Sequence, residues 1–177
     1  MTNPKRRGTG FHGHLRNVWN IWKGCAASTM ALQLPPDFKE FLKLLNSHQV
    51  KYLLIGGYAV GYYGYARATQ DMDVWIAADP ENADRIVRAL GDFGFQTSEL
   101  SPRLFLEGHN IVRMGLPPMR IEVLTKISGV GFDESYDERI AGNIDGVDVT
   151  LISLAKLKIN KRAAGRHKDL DDLERLP

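Results

Sequence analysis

The sequence has a single cysteine, Cys25, among 177 residues. That excludes an intramolecular disulfide framework and any cysteine-built zinc site, and it suits a reducing, cytoplasmic compartment. Long apolar runs are also missing. The longest uncharged stretch of note, Tyr52 to Ala66, has 15 residues and four glycines. A bilayer span needs about 20 apolar residues, so no membrane association is expected. Acids are absent from residues 1–29, which carry Lys5, Arg6, Arg7, Arg16 and Lys23. Taking those five cations from a net charge of +2 leaves the remainder at −3. The pI near 8.7 therefore belongs to this leader and is weak evidence for nucleic-acid binding by the rest. A hydrophobic content of 44% excludes disorder throughout, and the length suits one domain.

The leader admits three readings: a flexible basic arm, a transit-like peptide, or upstream sequence that is not native. Lys23 interrupts the apolar residues around Trp19 and Trp22, against a secretory signal. Met30 opens a stretch that reads as a natural start, so a single domain is expected over 30–177. Gly8-Thr9-Gly10-Phe11-His12-Gly13 matches G-x-G-x-x-G, but no strand precedes it and no βαβ pattern surrounds it. His12 and His14 are read as solvated.

Beyond the leader, periodicity sets out the elements. Phe38, Phe41, Leu42 and Leu45 form one helical face after Pro35-Pro36. Lys51–Ile55 reads as a buried strand ended by Gly56-Gly57, with a small-residue helix to about Gly64. Asp71–Ile76 is a second strand, and Asp79-Pro80 opens a helix closed by Gly94. Arg103–Glu107 and Ile111–Met114 suggest a hairpin around Gly108-His109-Asn110. Met119–Leu124 reads as a strand, and Asp145-Gly146 as the turn of another hairpin within 144–152. Ser153 caps a helix ended by Gly165, and a short last helix carries Leu170, Leu173 and Leu176. This order predicts an α/β (α+β) fold, a mixed sheet flanked by helices.

The segment richest in chemistry is Ile55-Gly56-Gly57, thirteen residues, then Asp71-Met72-Asp73-Val74. Glycines let backbone N–H groups approach a phosphate, and a helix start adds unpaired donors. Strand alternation puts Asp71 and Asp73 on one face, where two carboxylates can hold a hard cation such as Mg²⁺. Asp-x-Asp alone is a weak signal. Asp79/Glu81, Asp169/Asp171 and Asp172/Glu174 share the acid-x-acid pattern and read mostly as solvated helix faces. Arg67 and Thr69 precede the acids and suit phosphate oxygens, although a surface ion pair is an equal reading for Arg67. Lys161, Arg166 and Lys168 surround the Gly165 helix end. They either hold phosphate or acceptor, or form a solvated basic end with little weight in stability. Tyr58, Tyr62 and Tyr65 read as a core stripe rather than a base-stacking surface. His109 and His167 receive no role.

Tyr52 to Ile76 resembles the signature of the nucleotidyltransferase superfamily that includes DNA polymerase β: an apolar residue, Gly, Gly or Ser, nine to thirteen residues, then Asp, apolar, Asp or Glu, apolar. Ile121-Glu122-Val123 resembles that family's third carboxylate strand, though Asp is common there, as Ser is after the first Gly. The flanks Arg67-Ala68-Thr69-Gln70 and Asn160 to Asp169 are similar to small bacterial members, some paired with toxins and some modifying lincosamide antibiotics. The resemblance runs from about Leu34 to Leu176. It implies two Mg²⁺ ions held by Asp71, Asp73 and Glu122, which are also the implied catalytic residues. Gly56, Gly57, Arg67, Thr69, Lys161, Arg166 and Lys168 would contact the NTP. It implies transfer of a nucleotidyl group to an acceptor hydroxyl with release of pyrophosphate, in a toxin–antitoxin setting with a possible toxin partner. The acceptor, whether protein, RNA or small molecule, is left open. The alternative is a non-catalytic nucleotide- or partner-binding module on the same fold. A basic nucleic-acid binder would rest on the leader alone.

Overall fold

The computed structural model describes residues 32–107 and 110–177. The leader with its glycine motif, Cys25 and Met30, and the proposed turn residues Gly108 and His109, lie outside the described residues. Thirteen elements follow in order: α1 (Pro36–Ser47), β1 (Tyr52–Leu54), α2 (Gly56–Tyr62), β2 (Asp71–Ile76), α3 (Pro80–Asp92), α4 (Arg103–Leu106), β3 (Ile111–Met114), β4 (Arg120–Leu124), α5 (Phe132–Asp137), β5 (Ile140–Ile144), β6 (Val147–Leu151), α6 (Leu154–Ala164) and α7 (His167–Arg175). The strands form one mixed sheet in the order β3-β4-β2-β1-β6-β5. β2 runs parallel to β4 and β1 parallel to β6, while the β1–β2, β3–β4 and β5–β6 pairs are antiparallel. Among the described residues no helix is long and apolar enough to cross a membrane.

Alternation explains the sheet. In β2, Met72 and Val74 are buried while Asp71 and Asp73 are half-buried on the other face. In β4, Ile121 and Val123 are buried and Glu122 is half-buried. The apolar faces join one core with Phe38, Phe41, Leu42 and Leu45 of α1, as the helical spacing predicts. Asp79 caps α3 by accepting from the Asn82 N–H, and Pro80 fills the first turn. Ser153 caps α6, and Gly165 ends it in the left-handed region at φ +63°.

Several sequence expectations need correction. Arg103–Glu107 is not a hairpin strand: Arg103–Leu106 form one helical turn whose Phe105 is buried. A run as short as Leu104-Phe105-Leu106 satisfies either period, and α3 lies near enough for the helical turn to pack on. Tyr65 lies beyond the end of α2, so the helical stripe stops at Tyr62, but Tyr62 and Tyr65 are both half-buried against the core that holds the buried Tyr58, as the core reading expects. α5 was not predicted. Its Phe132 packs edge-on against Trp75 of β2 at 5.0 Å.

Asn82 joins α3 to the sheet. It is 1% exposed, accepts from the Lys51 N–H at 2.7 Å, and donates to the carbonyls of Lys51 (3.1 Å) and Ala77 (3.0 Å). Asn82→Asp keeps the acceptor and the volume but cannot donate to two buried carbonyls when ionised. We expect it to lower unfolding free energy by at least about 2 kcal/mol. Equilibrium denaturation by urea measures this, and a loss near zero would contradict the role of Asn82.

Candidate active site

The Gly-Gly turn meets the first acids directly. β1 ends beside β2 with Leu54 opposite Val74, and the Ile55 N–H donates to the Asp73 carbonyl at 3.0 Å. Gly56 follows with φ +63°, and a Cβ there would sit 1.9 Å from Oδ2 of Asp73. Only glycine combines that left-handed backbone with that approach. At Gly57 a Cβ would fall 2.2 Å from Oγ1 of Thr69. The Thr69 hydroxyl therefore stands where a serine at position 57 would begin, and Thr69 also donates to the Asp71 carbonyl at 3.2 Å.

The parallel register of β2 and β4 sets Asp73 opposite Glu122 and Asp71 opposite Arg120. In the antiparallel β3–β4 pair, Arg113 lies opposite Glu122. All three acids therefore share one face of adjacent strands. Arg120 donates to Asp71 from Nε at 3.2 Å and from Nη2 at 3.3 Å, and Arg113 Nε donates to Glu122 at 2.8 Å. Neither arginine was singled out in the sequence. The signal was there: Arg120 precedes Glu122 by two on one strand, so both face the same way.

Asp73 differs from its two neighbours. Among the described residues no hydrogen-bond donor or ion-pair partner meets its carboxylate. Burial, then the charges of Glu122 and Asp71, push its pKa up to about 6, against the pull of Arg166 and Lys161. As the side chains lie, no three His, Cys, Asp or Glu among the described residues form a ready metal cage. Two of the three acids are turned to arginines. The donor set nonetheless fits a hard cation: oxygen ligands only, one uncompensated carboxylate, and a glycine cradle beside it.

The acids open into a cleft of about 700 Å³ lined by Gly56, Gly57, Arg67, Thr69, Asp71, Asp73, Arg113, Glu122, Lys161, Arg166 and Lys168, among others. All ten predicted site residues are thus brought to one cavity, of a size usual for small-molecule sites. Ion pairs hold three of the four predicted cations. Lys161 is not a solvated helix-end charge but is 3% exposed, with Nζ 2.9 Å from Asp169 and 2.6 Å from Asp172. Asp169 and Asp172 are likewise buried, not solvated. Arg67 is held through Nε (2.6 Å) and Nη2 (2.9 Å) by the Asp172 carboxylate. Arg166 Nε donates to Asp169 at 2.7 Å. Burial alone would raise Asp172 and Asp169. Hydrogen bonds from Arg67 and Lys161 outweigh it at Asp172, and those from Arg166 and Lys161 at Asp169, so both carboxyls stay below their ordinary range. Losing one partner from such a cluster costs about 3–5 kcal/mol, so replacing Lys161 cannot be neutral to the fold. Lys168 is exposed and makes no ion pair among the described residues.

The raised Asp73 carboxyl has a consequence for stability. Its pKa in the folded chain, about 6, exceeds the ordinary 3.8. Ionising it therefore disfavours the fold, and ligand-free stability should fall as pH rises from about 4 to 6, then level off. Asp73→Asn removes the charge. We expect the ligand-free variant to be more stable than wild type at pH 7, by on the order of 1–3 kcal/mol, with the gain vanishing near pH 4. Thermal melts across that range check this, and a variant less stable at every pH would contradict it.

Comparison with known proteins bears on the same residues. A family described as "Nucleotidyltransferase of unknown function (DUF6036)" matches residues 32–176. No curated protein sequence matches. Among solved structures, a candidate nucleotidyltransferase from Thermotoga maritima aligns with a TM-score of 0.54 and 14% identity, over 77% of this chain and 87% of that one. An antigenic nucleotidyltransferase-like protein from Paracoccidioides brasiliensis aligns at 0.48 and 21% identity, over 77% and 71%. The lincomycin-bound lincosamide antibiotic adenylyltransferase LnuA aligns at 0.48 and 15% identity, over 82% and 99%. The Thermotoga likeness is one of fold, and the matched family spans every element from α1 to α7, the carboxylate strands included; this chain belongs to that nucleotidyltransferase family.

Proposed function

We propose that this chain transfers a nucleotidyl group from an NTP to an acceptor hydroxyl in a Mg²⁺-dependent reaction. The observation that carries the reading is the β2–β4 register, which sets Asp73 opposite Glu122 with Asp71 two residues away, beside a Cβ-free Gly56. Asp71 and Asp73 would hold the ion associated with the nucleotide, and Glu122 would join them at the ion nearer the attacking hydroxyl. When bound, Mg²⁺ supplies charge neutralisation and lowers the pKa of a ligated hydroxyl. The backbone N–H groups at Gly56 and Gly57, with the Thr69 hydroxyl, face the place of the triphosphate. Arg67, Arg166 and Lys168 meet its negative charge, and Arg113 and Arg120 can exchange their partly exposed carboxylate pairs for phosphate oxygens, since such pairs contribute modestly by themselves. The acceptor oxygen bonds to the α-phosphorus, the bond to the β-phosphate oxygen breaks, and pyrophosphate leaves. Most of the catalysis is positioning and electrostatic stabilisation.

The acceptor is a protein, RNA or small-molecule hydroxyl. A cytoplasmic toxin–antitoxin role is the setting that the small bacterial resemblance favours, and a toxin gene beside this one would support it.

Glu122→Gln preserves volume and removes charge. We expect it to retain Mg²⁺–NTP binding while transfer falls by about 10²-fold or more, the scale of losing a positioned catalytic group. Asp73→Asn should lose both. Calorimetry with Mg²⁺–ATP and Mg²⁺–GTP, together with pyrophosphate release over candidate acceptors, separates the cases. Nucleotide binding by both variants at wild-type strength would sink the metal-site assignment. Binding without release under any acceptor would favour the non-catalytic binding module.

A further inference from the structure

Three of the cations that line the cleft, Arg67, Lys161 and Arg166, are held by the carboxylates of α7. Asp172 of α7 is 0% exposed, and all four oxygens of Asp169 and Asp172 accept from cations. The cluster contains three cations, Arg67, Lys161 and Arg166, and two carboxylates. Its surplus positive charge lies beside the acids of the cleft. Arg67 belongs to the segment that joins α2 to β2, 105 residues before Asp172. Gly165, at φ +63°, folds α7 back on α6 and lets Lys161 reach both acids.

From this geometry we infer that Asp172 and Lys161 are positioning residues, which hold Arg67, and through Asp169 hold Arg166, in place for the nucleotide's phosphates. This rests on the nucleotidyl-transfer reading. A guanidinium has five N–H donors in a fixed plane. The bidentate bond to Asp172 uses Nε and one N–H of Nη2. Nη1 donates one N–H to the Ala68 carbonyl at 3.5 Å, which leaves its other N–H and the second N–H of Nη2 for a ligand, and the bidentate bond fixes their direction. A lysine in place of Arg67 would keep the charge but could not span both oxygens. The buried pair thus converts a flexible side chain on a connecting segment into a preset donor. Ordering the arginine in the free protein removes that cost from binding. The segment also carries Thr69, which is seated on Gly57, so its order bears on the turn as well.

Two measurements on the full chain test this. In Asp172→Asn, hydrogen–deuterium exchange of amides 64–70 should accelerate about tenfold or more beyond the acceleration that the loss of global stability gives the amides of β2 and β4. The dissociation constant for Mg²⁺–ATP and Mg²⁺–GTP should rise about tenfold. Arg67→Lys, which keeps the carboxylates and the charge count, should raise it similarly, with a smaller fall in melting temperature than Asp172→Asn because a cation still meets Asp172. The double variant should bind no more weakly than the weaker single. The loss of a buried partner lowers the melting temperature under either reading; a merely structural role for Asp172 predicts equal acceleration of exchange everywhere and an unchanged dissociation constant. Unchanged exchange in 64–70, or additive losses in the double variant, would overturn the inference. If Asp172→Asn does not fold, Arg67→Lys decides alone, and wild-type affinity in that variant overturns it. If wild type binds neither nucleotide, the functional reading fails, while the exchange result still decides whether Asp172 orders the segment.

Discussion

The parallel pairing of β2 with β4 is the constraint from which the rest of the site follows. It sets Asp73 level with Glu122, and strand alternation then brings Asp71 to the same face. Slipping β2 by one residue would turn Met72 and Val74 into the cleft and carry the carboxylates into the core. The apolar alternation thus fixes the register, and the register gathers the acids. Gathering them is unfavourable in itself, because three like charges lie close together on a half-buried surface. Burial first, and then the charges of Glu122 and Asp71, raise the Asp73 carboxyl, while the Arg113 and Arg120 pairs offset part of the repulsion at the other two acids. Unfavourable charge placed where no packing needs it is the feature that supports the proposed cation site.

A second charge system stands opposite the first. The acids of the cleft are poorly compensated, whereas the Arg67–Asp172–Lys161–Asp169–Arg166 cluster is richly bonded and, apart from the exposed Arg166, largely out of water. Surface ion pairs contribute little, but a buried cluster with every carboxylate oxygen satisfied resists loss of any member. It joins the segment after α2 to the end of α6 and the face of α7, about a hundred residues further along the chain. The cleft therefore has one wall built from sheet register and another from buried charge.

Much of this was legible in the sequence, where the signal is local. Phe38, Phe41, Leu42 and Leu45 announce α1 by spacing. Asp79-Pro80, Ser153 and Gly165 mark helix ends by their own chemistry. The β2 and β4 acids are legible because each stands between apolar residues. Signals that depend on distant partners were not legible. Asp169 and Asp172 look like solvated acids until Lys161 and Arg67 are folded against them, and no period within α7 reveals a partner 105 residues away. Leu104-Phe105-Leu106 is too short for its period to decide between strand and helix, and the neighbouring α3 decides it. Arg113 enters only through the cross-strand register with Glu122.

The central claim is that the three carboxylates and the Gly56–Gly57 turn form one Mg²⁺–NTP site. The most direct measurement is a crystal structure with Mn²⁺ and a non-hydrolysable NTP analogue. Anomalous scattering would locate the metal, and difference density the phosphates. The account predicts manganese bound by Asp71, Asp73 and Glu122, phosphates at the Gly56–Gly57 backbone, and Arg113 and Arg120 turned from the acids. Manganese or nucleotide bound elsewhere, with the two arginines still paired to Asp71 and Glu122, would contradict it.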